Sequence, residues 1–324
     1  MITHRDMLRA ASRTFALSIE RLPGILGEAI AIAYLLLRIM PPERKVALIH
    51  LWGQVLSGEV RVETLTVQLS NVDDPSPDAD VARHAAEVLA VMGRLPAEVQ
   101  QTIISSVRDT TEGMARWQAR GPVVLQEADM DDYMHEVAGR VGYLVTHLFA
   151  WHADGINVRK DLLMPLAREF GLALQTVNVI RGLRKDFERG WVYVPLNFFA
   201  AVNIAPQDLF DPQYQSQAMQ VVEMIADKAE RHLLAGKAYV QAIPAWHHRI
   251  RLACMWPLLF AVRTLAISRH DAAVLAGEAK VPRAEVMRIV RDSTLWGWSN
   301  TWFDYYFHQL GVVNGKGSPP GRIS

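Results

Sequence analysis

Four residues spaced for a single helix face, Gln175, Asn178, Gly182 and Asp186, lie within the stretch 172–195, LALQTVNVIRGLRKDFERGWVYVP. They fall at i, i+3, i+7 and i+11, and a period of 3.6 residues per turn puts them on one side of a helix. Leu172, Leu174, Val177, Val179 and Ile180 cover most of the remaining surface. The two amides therefore either find partners inside the protein or line a cavity that holds something polar. Arg181, Arg184, Lys185 and Arg189 crowd the same end as Asp186. Cations beside one carboxylate suit a ligand that carries phosphates and a divalent metal. They equally suit a core helix whose basic tip emerges into solvent.

The elements that must position this stretch are helical. Apolar residues recur at helical spacing over 4–20, and Pro23 opens a nearly all-apolar run ending at Arg38. After Pro41-Pro42 the pattern resumes over 43–69, and again over 81–92, 96–120 and 131–151. Gly139 and Gly142 lie three apart in the last of these, which removes side chains where another helix or a ligand must come close. The loop 71–80, NVDDPSPDAD, reads as a solvated acidic turn with no site. Beyond Pro195, helices are expected over 216–243, 250–267 and 283–310. The last holds Trp296, Trp298, Trp302, Phe303, Tyr305, Tyr306 and Phe307, a stripe expected in the core, with the wall of an apolar ligand site as the alternative. Alternation with the period of a strand is almost absent, so the fold class is all-α, a single-domain bundle over 1–312 with a disordered tail at 313–324.

Composition narrows the function classes. Lys+Arg and Asp+Glu both number 34 in 324 residues, and this balance argues against a nucleic-acid partner, whose phosphate backbone calls for a basic excess. The single cysteine, Cys254, forms neither an internal disulfide nor a thiolate metal site. None of the 11 histidines forms an H-E-x-x-H pair, and no glycine-rich phosphate loop is present. The apolar runs 29–37 and 252–262 stop at arginines, short of the roughly 20 residues a span needs, and the amino terminus carries no apolar signal core. The expected setting is cytoplasmic, with peripheral contact at a membrane surface left open.

Four stretches together resemble the squalene/phytoene synthase family, enzymes that join two prenyl diphosphates head to head. They are SRTFALSI at 12–19, AYLLLR at 33–38, YMHEVAGRVGYLVTHLF at 133–149, and the stretch 172–195. The resemblance implies the class I isoprenoid-synthase fold, a helical bundle around a central apolar cavity with a mouth that binds diphosphate and Mg2+. Magnesium usually bridges one or two carboxylates to substrate phosphates, while the carbocation left by ionisation needs a dry apolar chamber. Carried over residue by residue, the resemblance makes Asp186 and Asn178 metal ligands and puts Gln175 beside them. It gives phosphate oxygens to Arg38, Arg181 and Arg189, the mouth lining to Ser12, Arg13, Phe15 and Tyr34, and a place near the reacting carbons to Tyr133.

Two features depart from the family pattern. Its second acidic motif runs D-x-x-x-D, whereas this chain has Gly182-Leu183-Arg184-Lys185-Asp186. Its first acidic motif should follow Arg38, but here the chain goes on Ile39-Met40-Pro41-Pro42-Glu43. The implied activity is Mg-dependent condensation of two farnesyl diphosphates to presqualene diphosphate and squalene, with NADPH as reductant if squalene is the product. The alternatives are a phytoene synthase acting on geranylgeranyl diphosphate and a non-catalytic family member that has lost its metal ligands.

Overall fold

The computed structural model describes residues 3–40, 45–70, 74–121, 123–269, 271–277 and 279–311. The expectations for the junction 41–44 and the tail 313–324 fall outside the described residues. The chain runs through α1 (His4–Ala11), α2 (Arg13–Ile19), α3 (Gly24–Ile39), α4 (Val46–Ser57), α5 (Val62–Ser70), α6 (Pro77–Arg83), α7 (Ala85–Met92) and α8 (Ala97–Arg120). It continues through α9 (Glu127–Met134), a π-helical turn (His135–Gly139), α10 (Arg140–His152), α11 (Asp154–Asn157), α12 (Lys160–Glu188) and α13 (Leu196–Ala201). The carboxy-terminal part is α14 (Gln215–Ala242), α15 (His248–Arg269), α16 (Arg283–Trp296) and α17 (Asn300–Gly311). Among the described residues, strand pairing is confined to one isolated bridge, Val123 with Val192.

Where the expected helices divide, local chemistry divides them. Ser12 adopts extended dihedrals and its hydroxyl accepts the Phe15 N–H, so the pattern over 4–20 breaks into α1 and α2. Gly58, at φ +78°, ends α4 in the left-handed conformation and splits the stretch over 43–69. The helix expected from residue 81 begins earlier, because Pro77 sits in the first turn and Ser76 caps it by accepting the Ala79 N–H. The expected helix over 283–310 stops at Gly297 and restarts at Asn300.

The 29-residue α12 is the axle, packing on α14, α10 and α15. Gly142 and Gly171 let α10 and the π turn close on it: a methyl at Gly142 would overlap the Ala167 carbonyl, and one at Gly171 the Ala138 carbonyl. The close approach foreseen for Gly142 is thus helix packing. The face of α3 away from the central cavity is buried through Leu26, Ala29, Ile32, Leu35, Leu36 and Ile39. α15 is long and apolar enough to cross a membrane, and 78% of its most apolar window is buried as a core helix.

The terminal aromatic stripe is not one face of the core. Phe303 and Phe307 are buried, but Trp296, Trp298 and Tyr305 are more than half exposed, and none of the stripe lines the central cavity. On α17 the helical period is the reason for Tyr305, which lies two residues from both Phe303 and Phe307 and so faces the other way.

Candidate active site

Between α2, α3, the π turn, α10, α12 and α15 lies a cavity of about 1010 Å³. Its floor is apolar: Ile19, Leu22, Ile30, Phe149, Phe170 and Ala253 contribute, together with Tyr239 and Cys254. Tyr239 and Thr146 share a 2.8 Å hydrogen bond there, which satisfies two buried hydroxyls. Burial pushes the Tyr239 phenol well up and the Cys254 thiol up to about 12, so both stay neutral at physiological pH. A floor without charge suits an apolar chain.

The mouth is polar. Gln175, Asn178, Gly182, Lys185, Asp186 and Arg189 line it from the last four turns of α12 and its cap, where their common spacing aims them at the cavity. A Cβ at Gly182 would lie 3.0 Å from Asp186 Oδ2, so an aspartate there would set a second carboxylate beside the first. Glycine leaves Asp186 as the one carboxylate of this face.

Arg38 ends α3 at the opposite wall. It donates from Nε to Asp78 Oδ1 at 2.7 Å and from its terminal nitrogen to Asp78 Oδ2, a two-pronged pair. Asp74, Ser76 and Asp78 all line the cavity. The reading of 71–80 as a solvated turn without a site is therefore corrected. α6 packs on α3, and this contact carries the loop's carboxylates to the mouth. Tyr34, one turn before Arg38, contacts Phe15 at 5.6 Å between ring centroids. Burial raises its phenol pKa, against the opposing pull of the Arg38 charge.

Tyr133 is buried on the cavity wall and stacks on Tyr193, with centroids 4.5 Å apart. Tyr193 in turn stacks on Trp191 at 5.5 Å, and Trp117 meets Tyr133 edge-on at 5.7 Å. Three of these rings, Tyr133, Trp191 and Tyr193, form a π-rich wall just inside the mouth, the kind of surface that favours a cation in a dry chamber.

Of the residues singled out in the sequence, Phe15, Tyr34, Arg38, Tyr133, Gln175, Asn178, Asp186 and Arg189 line this cavity. Three stand outside its wall. Arg181 is exposed, because it sits about 100° round the helix from Gly182. Arg13 is exposed on α2, and Ser12 is taken up as that helix's cap. Sequence reasoning missed Asp74 and Asp78. It named Lys185 in the basic cluster but gave the phosphate to Arg181, although Lys185 shares the helical register of Gln175, Asn178 and Gly182, and it passed over Trp191 and Tyr193 in the same stretch.

The donor set at the mouth suits magnesium only in part. Asp186, Asn178 and Gln175 offer hard oxygen atoms, but no group of three or more His, Cys, Asp or Glu side chains arranged to hold a metal occurs among the described residues. They fit an ion that arrives with a diphosphate, which completes the coordination, and do not fit a preassembled protein cage.

A helical bundle with a deep apolar cavity under a cationic, carboxylate-bearing mouth defines the isoprenoid-synthase class of fold. The model of one family within it, squalene/phytoene synthase, matches residues 8–285. The chain therefore belongs to the squalene/phytoene synthase family, a family of prenyltransferases of isoprenoid biosynthesis. It is 27% identical over 297 residues to Botryococcus squalene synthase from Botryococcus braunii, covering 87% of this chain and 61% of that protein. With the squalene synthase of Homo sapiens it shares 26% identity over 298 residues, covering 89% and 68%. The chain thus spans about two thirds of these relatives' length or less. TcSQS, solved with the ligand BPH1237, superposes with a TM-score of 0.82 at 22% identity, over 97% of this chain and 92% of that one, which shows the shared fold.

Proposed function

We propose that this chain condenses two farnesyl diphosphates head to head, forming presqualene diphosphate and then squalene. The observation that carries the reading is the joining, in one cavity, of a cationic mouth to a neutral apolar floor. Arg38, Lys185 and Arg189 hold diphosphate oxygens through charge-assisted hydrogen bonds. Asp186, with Asn178, would hold Mg2+, which would supply charge neutralisation for the leaving group.

The remaining work belongs to the chain's own groups. As the allylic C–O bond breaks, its electron pair leaves with the diphosphate, and the carbocation faces the rings of Tyr133, Tyr193 and Trp191. The double bond of the second substrate supplies the electrons of the new C–C bond. The proton then lost passes by way of the Tyr133 hydroxyl, which accepts it while giving its own to the departed diphosphate. The apolar floor keeps water from the cation. Squalene requires a hydride as well, which NADPH would supply.

Phytoene synthesis from geranylgeranyl diphosphate uses the same mouth with a longer chain on the floor. Product analysis after incubation with each prenyl diphosphate and magnesium, with and without NADPH, tests the proposal. Presqualene diphosphate and squalene from farnesyl diphosphate are expected. Product from geranylgeranyl diphosphate alone would replace the substrate, and no pyrophosphate release from either would favour the non-catalytic alternative, consistent with Gly182 in place of an acid.

A further inference from the structure

The exposed tryptophans have no part in the cavity, yet they are not scattered. Trp296 and Trp298 flank the junction of α16 and α17, and Trp246, 73% exposed, tips the loop between α14 and α15. Leu295 is exposed beside the first two, and Val158 (82% exposed) and Leu162 surround the start of α12. Hydrogen bonds tie these places to one end of the bundle. The buried Arg251 donates to the carbonyls of Val240 at 3.0 Å, Ile243 at 2.6 Å and Gly297 at 3.3 Å. His248 Nε2 lies 3.0 Å from the Thr294 carbonyl, and Arg159 donates to the Ala242 carbonyl at 3.0 Å. A Cβ at Gly155, in α11, would sit 3.4 Å from the Trp246 indole nitrogen.

This end is the far one from the mouth. Leu162 and Asp186 are 24 residues apart on α12, which at 1.5 Å per residue is about 36 Å.

We propose that this end of the bundle docks on an anionic lipid surface. Indole rings pair an apolar body with one polar group, and they concentrate where hydrocarbon meets headgroups. The Trp298 N–H is already bonded to the Leu295 carbonyl at 3.1 Å, so the ring enters an apolar layer without losing a partner. Charge complements the headgroups. Arg159 and Arg249 are exposed and anchored at the rim, Arg249 through the carbonyls of Arg21 and Leu22, while Arg21 and Lys160 adjoin them and Asp154 and Asp161 offset part of the charge.

The cavity floor also comes close to this surface. Leu22 and Ala253 line the floor, while the Leu22 carbonyl bonds Arg249, one turn before Ala253 on α15. The choice of lipid draws support from the proposed reaction, whose product is a hydrocarbon, but the surface itself stands without it.

The test is binding of the full chain, without substrate, to vesicles of phosphatidylcholine with and without phosphatidylglycerol. The wild-type protein is expected to sediment with the mixed vesicles, less so as salt rises. Trp246→Ser combined with Trp298→Ser should weaken that binding by about tenfold or more, while Val67→Ser, an exposed apolar residue of α5, leaves it unchanged. Circular dichroism establishes that the variants are folded. Failure of the wild type to bind, or equal binding by the double variant, overturns the proposal. So does a wild-type dimer in sedimentation that the double variant dissociates, since the patch would then be an interface between copies. Because no turnover is measured, the outcome is independent of the reaction assigned to the cavity.

Discussion

At the mouth, Asp186 of α12 and three cations share the work, and their separate contributions are measurable. Asp186→Asn keeps the shape of the side chain but removes the charge that holds a metal, so turnover should fall by about 100-fold or more with circular dichroism unchanged. A near-normal rate would take Asp186 out of the reaction. Lys185→Ala should weaken a non-hydrolysable farnesyl diphosphate analogue by about 1.5–3 kcal/mol, the worth of a charge-assisted hydrogen bond. Arg38→Ala should cost more, because it also strands Asp78 as an uncompensated anion facing the ligand. Arg181→Ala should leave affinity unchanged, as its side chain is exposed off the cavity wall. Titration calorimetry of the three variants separates these outcomes, and a loss at Arg181 equal to that at Lys185 would overturn the assignment. Lys185 shows what was legible beforehand: it lies seven residues after Asn178, on the same face, and the helical period alone would have preferred it to Arg181.

Helices α10 and α12 approach closely, and the approach rests on missing side chains. Gly142→Ala would drive a methyl into the Ala167 carbonyl, so a destabilisation of about 3 kcal/mol is expected from urea unfolding. An unchanged midpoint would mean that the two helices slide apart freely. Periodicity in the sequence located α8, α14 and α15, because each buries a broad stripe and has no competing cap inside it, whereas of α12 it marked only the part from Leu172 and missed the first three turns. It failed at α1–α2, α4–α5 and α16–α17, where a serine cap or a glycine interrupts a hydrophobic pattern that continues across the break. It also failed for Asp74 and Asp78, for a different reason. Their role comes from the packing of α6 on α3, a contact between residues 40 positions apart, and local pattern carries no information about such pairs.

For the molecule as a whole, acid should be destabilising near neutrality. Burial lowers the pKa of His135, with the Arg168 charge adding to it, and burial likewise lowers those of His147 and His247. Below the unfolded value of 6.5 the unfolded chain binds protons that the folded one does not. The stability these neutral rings contribute is complete above that value and is lost as the pH falls through their lower folded values. Thermal unfolding at pH 7.5 and pH 5.5, about one unit either side of the histidine pKa, should give a lower midpoint in acid; a higher one would refute the sign. The cavity has a mechanical consequence as well. A bundle built around a cavity of about 1010 Å³ is less closely packed than a filled core, so hydrostatic pressure should unfold it at a lower value than a bundle of the same size without one. A prenyl chain lying in that space would stiffen the protein, and the pressure at which it yields would rise with ligand concentration.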